Sequence, residues 1–267
     1  MKRLLTFFFV LVLCLQGALS VCAGEIRPGQ VLYATDFADY TSLRDTGVRF
    51  GTLSGKNARM RLENGELSIT SRDGEKTYLL LPDTGLWTDT YVMEFVFRFT
   101  EIESSNGYCG LILSSRGDAP SGRSELIFRA DGSIDGYKDK SDALKNAAEK
   151  GTPITVRVHV TYGFLVDFQL IADGEEAKTY TPEAISRVSS GGRGFVLRNA
   201  SASFASARVV SGEYGDLADA PDAPSYVAPE SWQLPGEIAP PTGDGAAAML
   251  LCAGCAAVLL LRMRRRV

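Results

Sequence analysis

The groups in this chain that could do chemistry are few: 32 carboxylates, 28 basic side chains, five cysteines and one histidine, with aromatics scattered among them. Retaining hydrolysis of a glycosidic bond needs an acid and a nucleophile about 5 Å apart, which alternate positions on one strand can supply. The segment 91–100 offers only Glu94, followed on its face by Val96 and Arg98. Glu101 and Glu103 have the right spacing, but they lie at a strand end beside Ser104, Ser105 and Asn106 and read as a solvated loop. His159 falls on the solvent side of its strand and reads as a lone surface histidine. No His-Cys or His-His spacing for zinc exists, and no Ser-His-acid triad is signalled, although one assembled in space around His159 stays open. Sugar recognition asks for an aromatic platform ringed by polar groups. Trp87, Tyr91, Tyr108 and Tyr137 are the ligand-binding candidates, with Glu94 and Arg98 on the less apolar face of the aromatic strand; each ring could equally be packing.

These residues need a scaffold of strands. In 91–100, Met93, Phe95, Phe97 and Phe99 alternate with Val92, Glu94, Val96 and Arg98, so one face is core. Val156, Val158 and Val160 repeat the pattern, as do Phe164, Val166, Phe168 and Leu170. A three-residue loop at Thr161-Tyr162-Gly163 would pair Val160 with Phe164 and set Arg157 opposite Asp167. A two-residue turn at Asn64-Gly65 places Leu62 opposite Leu67, a loop at Ala130-Asp131-Gly132 sets Phe128 opposite Ile134, and Asp173-Gly174 is another tight turn. Helix is expected only over 141–150, stopped by Gly151, and over 182–188. Cys109 is expected in the core of a strand. The pattern predicts an all-β, two-sheet antiparallel sandwich.

Several segments together resemble the concanavalin A-like, laminin-G-like jelly rolls: Thr35-Asp36-Phe37, the hairpin at Asn64-Gly65-Glu66-Leu67, the aromatic strand 91–99, Gly107-Tyr108-Cys109-Gly110-Leu111, the hairpin 156–171 and the closing stretch from Gly194-Phe195 through Phe204 to Val209. The resemblance covers roughly 31–211 and implies a jelly-roll fold with carbohydrate binding or hydrolysis as the expected activities. It also implies a calcium ion in many members, for which Asp36 could supply a ligand. The closing strand reads Phe204-Ala205-Ser206, without the aspartate that many relatives carry there. The Glu-x-Asp-x-x-Glu pattern of the related glucanases is absent too.

The chain ends supply an address. Lys2 and Arg3 precede an apolar run, and Val21-Cys22-Ala23 fits signal-peptidase cleavage, so 1–23 reads as a signal peptide. Residues 246–261 are an uncharged apolar transmembrane segment, short against the roughly 20 residues a helix needs to span, and the basic 262–267 would remain in the cytoplasm. Before them, Pro240-Pro241-Thr242-Gly243 resembles the sorting signal of sortase-anchored surface proteins, with Ala239 where that family has leucine. Cleavage would fall between Thr242 and Gly243; a plain membrane anchor is the other reading.

Without the terminal basic residues, 22 basic face 32 acidic side chains, a balance of −10 that argues against nucleic acid as a partner. Only Cys109 lies in the exported part, so no internal disulfide forms, as suits an exported bacterial domain. Six of eleven prolines and no Lys or Arg fall in 212–245, which reads as an acidic proline-rich stalk after a domain at 24–211. The favoured reading is a cell-surface binding module whose partner is a carbohydrate or an extracellular protein. Two alternatives stand beside it: a diverged glycoside hydrolase, for which no carboxylate pair is located, and a non-catalytic structural envelope protein.

Overall fold

A computed structural model describes residues 26–230, apart from 52–53, 85, 87, 105, 117–118, 121–124, 182–185 and 189–191. The expected signal peptide, the transmembrane segment, the basic tail and the Thr242-Gly243 cleavage point lie outside the described residues. No helix among the described residues is long and apolar enough to cross a membrane.

The strands are β1 (Val31–Asp36), β2 (Arg49–Phe50), β3 (Arg59–Glu63), β4 (Glu66–Leu80), β5 (Tyr91–Ile102), β6 (Tyr108–Arg116), β7 (Ala119–Pro120), β8 (Glu125–Arg129), β9 (Ile154–Thr161), β10 (Phe164–Ala172), β11 (Lys178–Tyr180), β12 (Ser186–Arg187) and β13 (Gly192–Ser211). Helix α1 (Asp142–Lys150) sits between β8 and β9, and α2 (Tyr214–Asp219) follows β13. Every pairing among the described strands is antiparallel.

Hydrogen bonds join all thirteen described strands, yet the sheet folds over into two layers because β4 and β13 bend. Asn199 (φ 49°), Asp73 (φ 63°) and Gly74 (φ 73°) adopt the left-handed conformation at the same level of the ladder. The corner is tied by Gly74 N donating to Asn199 Oδ1 at 2.7 Å and by Arg198 Nε donating to the Gly74 carbonyl at 2.8 Å. Nine residues of straight strand would span about 30 Å. Phe195 and Phe204 on β13 instead stack at 3.8 Å between ring centroids. The two halves of the strand therefore face each other.

One layer holds β10, β9, β5, residues 200–211 of β13, residues 66–71 of β4, and β3. The other holds β2, residues 76–80 of β4, residues 192–198 of β13, β6 and β8. Between them pack the residues that alternate inward. Phe95 meets Phe195 edge-on at 5.3 Å, and Phe128 meets Phe168 edge-on at 5.7 Å. Cys109 is fully buried in this core, as expected. Burial pushes its thiol well above the ordinary cysteine range, so it stays protonated and inert.

The short-range expectations hold in most places. Leu62 pairs with Leu67, Phe128 bridges Ile134, and α1 runs from a Ser141 cap, whose Oγ accepts from Leu144 N, to Gly151. Three expectations are corrected. The β9–β10 turn has two residues, Tyr162 and Gly163, both at positive φ, so Thr161 and not Val160 pairs with Phe164. A bulge at Val166 then restores the inward alternation for Phe168 and Leu170. As a result Asp167 lies opposite His159, and Arg157 lies opposite Gln169. The helix expected over 182–188 is overturned in its described part: Ser186 and Arg187 form β12 and pair with Leu165 and Phe164. Backbone pairing along the free edge of β10 outweighs a helical propensity that lasts barely two turns.

The third correction concerns the domain boundary. The segment expected to be a stalk from 212 onward is packed on the sandwich as far as Glu230. Leu217 of α2 covers Val92 and Val210 on the outer face of the first layer. Beyond α2, Arg208 donates to the carbonyls of Ala220 and Pro221. Tyr226 N donates to the Ala34 carbonyl at 2.8 Å, and Ala228 N to that of Asp45 at 2.9 Å. The Tyr226 ring rests against Tyr33 at 6.0 Å. A few anchoring side chains and edge hydrogen bonds hold a strap whose composition looks like that of a linker.

Candidate functional site

Along β3 the side chains of Arg59, Arg61 and Glu63 point outward, while Met60 and Leu62 lean on the core. The register carries this outer row across the layer. Arg59 faces Thr70, which faces Ser201, which faces Glu101; Arg61 faces Ser68, which faces Ser203, which faces Arg98. Of these hydroxyl residues Ser68 and Thr70 on β4 floor a groove walled by long charged side chains, while Ser201 and Ser203 are buried beside them. The resulting open groove has a volume of about 560 Å³ and is lined by Asn57, Arg59, Arg61, Glu63, Ser68, Thr70, Arg72 and Asp73.

The charges along it differ in how far they are committed. Arg72 is held by Glu101 at 3.1 Å and by Glu103 at 2.9 Å. Those two carboxylates, the nearest to a catalytic pair in the sequence, therefore each place one oxygen on the same guanidinium. Asp73 accepts from the Asn57 amide. Arg61 meets Glu63 at 3.4 Å with both side chains more than half exposed, a geometry worth little in water. Among the described residues Arg59 donates only to the carbonyls of Lys56 and Ala58.

The candidates picked from sequence are dispersed. Glu94 pairs with Arg157 at 2.6 Å, and Arg98 places both Nε and Nη2 on Glu66 Oε2, at 3.0 and 2.7 Å; both pairs lie on the outer face of the first layer. Tyr91 is fully buried, with the Arg193 guanidinium 4.3 Å from its ring centroid. Tyr108 is buried on the outer side of the second layer, with the Arg129 guanidinium over its ring at 5.4 Å. Tyr137 is half-buried and packs edge-on to Phe168 at 5.0 Å. Burial, and then the charge of Asp167, push its phenol up to about 12. Trp87 is outside the described residues. The structure does not gather Tyr91, Tyr108 and Tyr137 into a platform. The groove residues were missed, although Arg59 and Arg61 alternating just before the Asn64-Gly65 turn were a usable signal.

Asp36, the candidate calcium ligand, stands at the end of β1. Its Oδ1 accepts from Ala38 N at 2.9 Å within a tight turn. No cluster of three or more His, Cys, Asp or Glu among the described residues is arranged to hold a metal, and calcium takes six to eight oxygens.

His159 lies on the outer face, as its register demands, but it is not a surface histidine. The helix α2 covers it to 8 % exposure. Its Nε2 lies 2.6 Å from Glu213 Oε2 and 2.9 Å from Thr161 Oγ1, and its ring sits 5.2 Å from that of Tyr214. The Tyr214 hydroxyl donates to Asp167 Oδ1 at 2.6 Å. Burial, with the Asp167 carboxylate next, drives the Tyr214 phenol far above its ordinary range. Thr161, His159 and Asp167 follow the order of a nucleophile, base and acid, but His159 Nδ1 is 3.8 Å from Asp167, too long for a hydrogen bond. With Glu213 also on Nε2, the cluster clasps α2 to the sheet and does not form a triad.

No known family model matches the chain, and no curated protein does. Among solved structures it is similar to the carbohydrate recognition domain of Emp47p, at 17 % identity and a TM-score of 0.43, covering 68 % of this chain and 96 % of that one. It is also similar to the botulinum neurotoxin serotype D binding domain, at 16 % identity and a TM-score of 0.44, over 71 % of this chain and 49 % of that one. A third similarity is to a xylan beta-1,4-xylosidase from Bacillus halodurans, at 12 % identity and a TM-score of 0.45, over 70 % and 40 %.

Proposed function

We propose that the chain is a surface-displayed binding module and that the groove across β3 and β4 is its carbohydrate site. The observation that carries this reading is the groove itself: an open trough with a hydroxyl floor and walls of guanidinium, amide and carboxylate groups. A polyhydroxylated ligand needs many donors and acceptors at close spacing, and neighbouring strands supply them in rows. Catalysis gains no support here, because Glu101 and Glu103 are both engaged by Arg72.

Display at the surface is supported by the apolar run 246–261, the arginines that follow it, and the N-terminal apolar run. Anchoring by a sortase is the finer proposal, supported by Pro241-Thr242-Gly243 and by a span short of the bilayer core. Mass spectrometry of protein from its native envelope tests it: a C-terminus at Thr242 is expected, and one at Val267 would leave a plain membrane anchor.

For the groove, the test is a glycan-array screen of the detergent-solubilised full chain, run alongside an assay for reducing-sugar release. Binding without release is expected. Sugar release would move the chain to the hydrolases, and neither binding nor release would leave a protein partner or a structural role.

A further inference from the structure

We propose that the groove selects a carboxylate-bearing glycan, a polymer of uronic acid, over a neutral one; this rests on reading the groove as a carbohydrate site. Arg59 and Arg61 stand two residues apart on one face of β3, so their backbones are separated by about 6.6 Å. Each faces a hydroxyl on β4: Arg59 with Thr70, Arg61 with Ser68. The strand thus presents two like rungs, each a planar guanidinium fork beside a hydroxyl. A uronic acid residue carries the complement, a carboxylate that accepts two parallel N–H bonds and ring hydroxyls beside it.

The charge inventory favours an acidic sugar. Arg72 is shared between two carboxylates, Glu101 and the better-buried Glu103, and Asp73 accepts from Asn57. Among the described residues Arg59 has no carboxylate partner, and that of Arg61 is solvent-screened. Uncompensated guanidinium in the groove of a chain whose exported part carries −10 is local complementarity to an anion. Charge on an edge strand also protects it from pairing with other chains, but protection requires neither a facing hydroxyl row nor a hollow. No aromatic ring is among the lining residues, so recognition would proceed through charge and hydrogen bonds and not through stacking on sugar faces.

The test is isothermal titration calorimetry on the detergent-solubilised full chain, with oligogalacturonate, a neutral cello-oligosaccharide of equal length, and polyglutamate as an acidic peptide. Binding of oligogalacturonate alone is expected, weakening as NaCl rises from about 0.05 to 0.5 M as charges are screened. Arg59→Ala and Arg61→Ala should each weaken it about ten-fold. Arg59→Lys, which keeps the charge and loses the fork, should fall between Arg59→Ala and the parent. Both side chains are exposed, and unchanged melting of the variants separates lost contacts from lost fold. Equal binding of the neutral sugar, or indifference to Arg59→Ala and Arg61→Ala, would overturn the carboxylate selection and leave the carbohydrate site standing. Equal binding of polyglutamate would show selection of charge without sugar and overturn the proposal. Binding of neither sugar would overturn both readings.

Discussion

Leu217 decides whether the strap is part of the domain. It is 6 % exposed, and beneath it Val92 and Val210 are fully buried on a sheet face that would otherwise meet solvent. Leu217→Ala removes apolar contact from all three residues. Buried Leu→Ala changes cost about 2 to 5 kcal/mol, and a short surface helix that can settle into the gap belongs near the low end, at about 2 kcal/mol. In a chain with 150 to 250 folded residues that corresponds to a fall in Tm of roughly 4 to 8 °C. Two readouts check it: thermal melting of the purified chain, and hydrogen exchange over 213–230, which should speed up in the variant before the core does. Leu86, 39 % exposed, is the control, and Leu86→Ala should shift Tm by about 1 °C or less. A shift just as small for Leu217→Ala, with exchange over 213–230 already fast in the parent, would refute the packed strap and restore the boundary at Ser211.

Other outcomes follow from the packing. Cys109 should resist alkylation in the native protein and react on unfolding, with Tm unmoved by reductant; rapid native alkylation would contradict its burial. Gly194→Ala should cost about 3 kcal/mol or more, because a Cβ there would sit 1.8 Å from the Leu79 carbonyl oxygen; a wild-type melt would refute that close approach. Lys140 and then Ser133 hold the Asp131 carboxyl below the usual range, so their stabilisation is present above about pH 4 and fades as pH falls further. Acid melting of Asp131→Asn should accordingly show a shallower loss of stability below pH 4 than the parent. Tyr137 behaves in the opposite sense. Its raised phenol favours the neutral form, giving stability that is present below about pH 10 and lost as pH rises toward 12. Tyr137→Phe should remove part of that alkaline loss at little cost near neutrality, since the buried hydroxyl has no hydrogen-bond partner among the described residues.

Much of the fold was legible because its signals are local. Asn64-Gly65 fixes a two-residue turn and hence the register of Leu62 on Leu67, and Ser141 with Gly151 bounds a helix at both ends. What escaped depends on contacts distant in sequence. Tyr162 in the left-handed conformation carries no warning in its residue type, and the bulge at Val166 that compensates is visible only once the ladder forms. His159 was assigned to the correct face, but the helix that covers it lies more than fifty residues away in a stretch whose prolines and carboxylates mask three anchors, Tyr214, Leu217 and Tyr226. The groove escaped for a related reason. Its far end, Arg72 and Asp73, sits at the bend of β4, which Asn199 ties from 125 residues away.

The bent β13 also governs when this chain can fold. It pairs with β1, β4, β5 and β6, so it touches both layers and completes each of them. It is also the last strand among the described residues. Until residue 211 has been made, β1 has no partner and β5 and β6 each lack a neighbour, so the loop-closure entropy of bringing distant strands together comes due before most contacts that offset it. A chain built this way collapses late and slowly. The sandwich therefore assembles only once nearly all of its residues are available, and a chain cut short anywhere before β13 would leave both layers incomplete.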